Sequence, residues 1–129
     1  MKINITAGEC LNKILTSKYI NETFIPFNEA MIKGSYNAVL FSKEFINQRC
    51  LTHNVTIKEY EDKLNGFLTL LKDVNKYQEI VLWFGDDDFC VENSKTVILT
   101  LKEYGYTNKL SLNVVIEETG EIKQTKIID

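Results

Sequence analysis

Residues 79–90 read EIVLWFGDDDFC, and the architecture of the chain turns on them. Ile80 to Phe84 are apolar without a break, and Gly85 and three aspartates then stop the run. An apolar segment of this length, closed by a turn residue, predicts a strand buried on both faces, as in a parallel sheet. A helix is predicted behind it, from about Phe89 to Tyr104. Val97, Ile98, Leu101 and Tyr104 face inward, Asp88 offers an N-cap and Gly105 a C-terminal stop.

Upstream, Thr56 and Glu59 form a capping box ahead of Tyr60, Leu64, Phe67, Leu68, Leu71 and Val74, which recur at helical spacing and predict the longest element. Phe41 to Leu51 reads as a shorter helix with Ser42 placed to cap it. Thr23 to Phe27 reads as a short strand, with the only proline, Pro26, near its end. Residues 30–39 look irregular, with a turn at Gly34-Ser35. At the start, Lys2 to Thr6 reads as a strand, Ala7-Gly8-Glu9 as a turn, and Leu11, Ile14 and Leu15 as a helix face.

Downstream, Lys109 to Ile116 alternates, placing Leu110, Leu112, Val114 and Ile116 on one face. Thr119-Gly120 then turns the chain into Glu121 to Ile128, whose lysines suit an exposed edge. Strands separated by helices predict a three-layer, doubly wound α/β domain over residues 1–129. Its sheet would hold about four mostly parallel strands plus an antiparallel C-terminal edge strand.

At 129 residues such a chain buries roughly two thirds of its unfolded surface. A net charge of −3 and one arginine, Arg49, among fifteen basic residues argue against a nucleic-acid reader, which favours clustered arginines. No apolar run is long enough to span a bilayer, and MKINITAGEC lacks a signal-peptide core, so a cytoplasmic protein is expected. Cys10, Cys50 and Cys90 are too far apart for a zinc motif and read as reduced, mostly buried thiols.

If the first three strands are parallel, their carboxyl ends share one edge of the sheet, where open α/β folds bind ligands. Gly8, Glu9, Asn28, Glu29, Asp86 and Asp87 would then converge there. Two carboxylates 4 Å apart repel by about 1 kcal/mol in water and about 4 kcal/mol at an effective dielectric of 20. A cation such as Mg2+, a shared proton or a helix N-terminus would offset that repulsion. Glu9 and Asp87 are the candidate acid/base groups, and Glu9, Asp86 and Asp87 the candidate metal ligands. Gly8, Asn28, Glu29 and Asp86 are the candidate ligand contacts. The competing structural reading makes the aspartates a solvated helix cap. His53, the only histidine, falls between two predicted helices and away from the strand ends, as a surface or capping residue would.

The central run resembles the signature of the bacterial domain-of-unknown-function family 1835. Trp83, Phe84, Gly85, Asp87, Phe89 and Cys90 carry that resemblance. Asn4-Ile5-Thr6-Ala7-Gly8-Glu9 is similar to the family's opening His-Ile-Thr-Asn-Gly-Asp, and Phe27, Glu29 and Gly34 to its second motif. The resemblance covers residues 3 to about 116. It departs at Asn4, Ala7 and Glu9, where the family has His, Asn and Asp. It implies the same fold and site location, without a reaction. The acidic loop is also similar to the Asp-x-Asp of toprim domains, although their glutamate precedes its glycine and Glu9 follows Gly8.

Two functions are therefore expected from different classes. The first is binding of a small polar or phosphorylated ligand at the acidic edge, with Mg2+ assisting. The second is a non-catalytic interaction or homodimerisation module, working through the final hairpin or through Phe24, Phe27, Tyr36 and Trp83.

Overall fold

Glu79–Phe84 forms the central strand, and every residue from Ile80 onward in it is buried. A computed structural model of the chain describes residues 1–129. The strands are β1 (Lys2–Thr6), β2 (Phe24–Pro26), β3 (Glu79–Phe84), β4 (Lys109–Ile116) and β5 (Glu121–Ile128). They lie in the order β2-β1-β3-β4-β5; the first four are parallel, and β5 pairs antiparallel with β4. The chain is thus α/β with a mostly parallel sheet and one antiparallel edge strand.

The helices divide unequally between the two faces. α1 (Glu9–Lys18) alone covers one side, where Leu11 and Leu15 meet Phe24, Val81, Trp83 and Val115. α2 (Lys43–His53), α3 (Ile57–Lys63), α4 (Asn65–Leu71) and α5 (Asp88–Glu103) cover the other side and bury the larger core. Right-handed crossovers require this division: β1 to β2 steps one way along the sheet, and β2 to β3 and β3 to β4 step the other way.

Several boundaries differ from the sequence expectation. The helix expected to start at Phe41 starts at Lys43, with Ser42 capping Phe45 N at 3.2 Å, and runs on to His53. Phe41 itself sits at φ +58, outside any helix. The long helix predicted from Thr56 keeps its capping box but breaks at Leu64 into α3 and α4. Beside that break, Gly66 lies so close to β2 that a Cβ on it would meet Ile25 Cγ2 at 3.1 Å. The longest helix is instead α5, of 16 residues.

In β4 the expected single apolar face is also corrected. Ser111, Asn113 and Val115 are buried along with Leu110 and Leu112, whereas Ile116 is exposed beyond a register shift at Val114/Val115. The strand lies between two sheet neighbours in a layered fold, so both its faces are covered. Of the thiols, Cys50 and Cys90 are buried and Cys10 is exposed. No helix is long and apolar enough to cross a membrane.

Candidate functional site

The direction of winding reverses between β1 and β3, so the loops leaving β1, β2 and β3 part around a crevice at their carboxyl ends. A pocket of about 410 Å³ opens there. Ala7, Phe27, Val55 and Phe89 give it apolar walls, and Gly8, Asn28, Glu29, His53, Tyr60 and Lys63 supply polar groups. Its volume falls within the range that small-molecule pockets occupy.

The chain enters the pocket through Gly8, the residue before α1, at φ +140, a conformation L side chains rarely adopt. No side chain caps α1. After β2, Asn28 donates from Nδ2 to Glu9 Oε2 at 3.0 Å and to the Lys63 carbonyl at 3.1 Å, tying the loop after β2 to the start of α1 and the end of α3.

Glu29 comes next and is fully enclosed. Arg49, equally buried on α2, grips its carboxylate with Nε at 3.0 Å and Nη2 at 3.1 Å. The Tyr60 hydroxyl donates at 2.5 Å and the Ala30 amide at 2.6 Å. His53 Nε2 lies 2.5 Å from Glu29 Oε1. Burial works to raise the Glu29 carboxyl, but the bonds from Arg49, Tyr60 and Ala30 outweigh it and hold the group below its usual range. Burial, with the Glu29 charge beside it, pushes the Tyr60 phenol far up. Asn93, buried on α5, donates to the Glu29 carbonyl at 2.7 Å and accepts from Met31 N at 2.9 Å, so the loop is pinned from a second element.

With Glu29 ionised and accepting, a neutral His53 ring carries its proton on Nε2. The 3.2 Å approach of Arg49 Nη2 to the same nitrogen is then a meeting of two donors that share one acceptor, Glu29 Oε1. Nδ1 has no protein partner. Since no buried side-chain nitrogen lacks one, Nδ1 is open to solvent. His53 is 20 % exposed and lines the pocket, so the sequence-based placement away from the strand ends is corrected.

Gly8, Asn28 and Glu29 are brought together at this pocket, with Glu9 attached through Asn28. The aspartates go elsewhere. Asp86 pairs with Lys123 at 2.7 Å across a separate groove between α5 and β5, and that hydrogen bond lowers its carboxyl. Asp87, rather than the expected Asp88, is the N-cap of α5, accepting from Cys90 N at 2.8 Å. Glu9, Asp86 and Asp87 do not gather their carboxylates around one point. The one acidic grouping with that property is Asp87, Cys90 and Glu117, whose ligand atoms lie within 4.8 Å of one another.

That second cluster is held together by protons. The Cys90 thiol donates to Glu117 Oε1 at 3.3 Å, and burial and this bond push the thiol up to about 12. Burial, and the nearby Asp87, raise Glu117 as well. The polar residue in the middle of β1 is also structural: buried Asn4 accepts from Trp83 Nε1 at 2.8 Å and donates to the Thr23 carbonyl at 3.0 Å.

Sequence reasoning missed Arg49, His53 and Tyr60 as partners of Glu29. One signal was available: Arg49 and His53 are four residues apart on one helix and so share a face. Nothing local pointed that face at residue 29. No family model matches this chain, and no curated protein does either.

Proposed function

We propose that the protein binds a small polar ligand in the pocket formed by Gly8, Asn28, His53 and Lys63. The observation that carries this reading is the Glu29 network, in which a buried carboxylate with five donors holds the loop after β2 and fixes one face of the only histidine. Such a network orders a pocket wall before any ligand arrives, which lowers the cost of binding. The resemblance to family 1835 agrees with this location, since its first two motifs fall on the loops carrying Gly8, Glu9 and Glu29. A divalent cation such as Mg2+ belongs to the same reading as an assistant, with Glu9, held beside the pocket by Asn28, as its candidate carboxylate.

Thermal unfolding against Mg2+, Mn2+, Ca2+, phosphate and common nucleotides tests it. A ligand at 100 times its Kd adds about 2.7 kcal/mol, which raises the midpoint by several degrees in a domain of this size. The shift should persist in Asp87→Asn and disappear in Asn28→Ala. The opposite pattern would move the site to the acidic loop.

A second reading has its own observation. β5 is exposed for seven of its eight residues and has a free edge, so it can add a strand from another copy. A dimer that persists on dilution, with no stabilisation by any compound, would favour an interaction module over the pocket.

A further inference from the structure

We propose that the pocket takes a small molecule bearing a phosphoryl group and that His53, through Nδ1, is its proton acceptor; this rests on the pocket reading above. The charges favour an oxyanion over a cation. The Glu29 charge is matched by the bidentate Arg49 guanidinium, and Glu9 is turned onto Asn28. Lys63 is exposed, lines the pocket and forms no ion pair, although its charge is felt by Glu59 one turn back on α3. A monoprotonated phosphoryl group offers what this site lacks: negative oxygens for Lys63 and an O–H for the bare Nδ1 lone pair. A carboxylate offers only the first. With a phosphomonoester's second ionisation near pH 6, that form is present around neutrality.

In the transfer the phosphoryl O–H bond breaks and an Nδ1–H bond forms, with the electron pair staying on the phosphoryl oxygen. The ring becomes an imidazolium whose other N–H is already seated on Glu29 at 2.5 Å. Glu29 is thus a positioning residue: it occupies Nε2 and leaves Nδ1 as the ring nitrogen without a protein partner, and Arg49 and Tyr60 hold it in place.

The protein has one histidine, so 15N-detected ring spectra of the whole chain report His53 alone. In the free protein the neutral ring should carry its proton on Nε2. Inorganic phosphate should shift Nδ1 together with the backbone amides of Gly8 and Asn28 along one binding curve. Lys63→Ala, at an exposed position, should weaken that curve by about tenfold or more, the loss of one charged hydrogen bond. His53→Gln, which keeps a donor for Glu29 without the ring lone pair, should weaken it while leaving the Gly8 and Asn28 amides of the free protein in place.

A proton on Nδ1 in the free protein would overturn the proposal. So would phosphate that moves the Gly8 and Asn28 amides without moving the ring, a result that leaves the pocket reading intact. Amides that answer to a neutral compound and never to phosphate would overturn the ligand class. Silence of ring and amides toward every compound would overturn both readings together.

Discussion

Glu29 is a buried carboxylate whose oxygens meet Arg49, Tyr60, His53 and the Ala30 amide, and the behaviour of the site follows from its charge. Removing one partner of a buried pair strands the other, at a cost of about 3–5 kcal/mol. Arg49→Met should lose that much in urea denaturation, more than any substitution at the exposed carboxylates. The pH dependence has a definite sign. An unfolded glutamate titrates near ~4.3, and folded Glu29 is held lower, so the unfolded chain takes up its proton first as pH falls. The stabilisation is complete above about pH 4.3 and is lost as pH drops through the folded value. Urea midpoints measured from pH 7 down to pH 3 should fall steeply at the acid end in the wild type and less steeply in Glu29→Gln.

At the scale of the element, the start of α5 separates the roles of adjacent aspartates. Asp87 accepts from Cys90 N as the N-cap, whereas Asp88 is the first helical residue. Asp87→Ala should therefore cost about 1 kcal/mol. Asp88→Ala forfeits only a favourable position near the helix dipole, about 0.3–0.5 kcal/mol. Denaturant titration of the two variants side by side checks the order. The interrupted helix from Ile57 to Leu71 obeys a different constraint: its apolar spacing is continuous, yet close packing of Gly66 against Ile25 accompanies a break at Leu64.

Over the whole molecule, one sheet joins both cores, since β3 presents Ile80, Leu82 and Phe84 to one and Val81 and Trp83 to the other. Trp83, the only tryptophan, is 4 % exposed, bonded to Asn4 and packed against Tyr19 and Phe24. Its fluorescence reports the smaller core, and far-UV circular dichroism is dominated by the helices over the larger one. The two urea transitions should coincide, as expected of a single cooperative domain of this size. Separated midpoints would show that the α1 layer unfolds independently.

The sequence by itself determined the strands, the caps at Ser42 and Thr56 and the α/β class. Apolar runs, alternation and capping residues act over a few neighbouring positions and are written in order along the chain. It also marked Gly8, Asn28 and Glu29, because residues just after parallel strands must emerge at one edge of the sheet. Only the tertiary structure decided what those residues meet. Arg49 reaches Glu29 across 20 residues, His53 across 24 and Tyr60 across 31, while Lys123 takes Asp86 away across 37. Those partnerships depend on how α2 and α3 lie over the sheet and on the pairing of β5. Both are set by packing between distant segments, for which no local pattern of residues is a substitute.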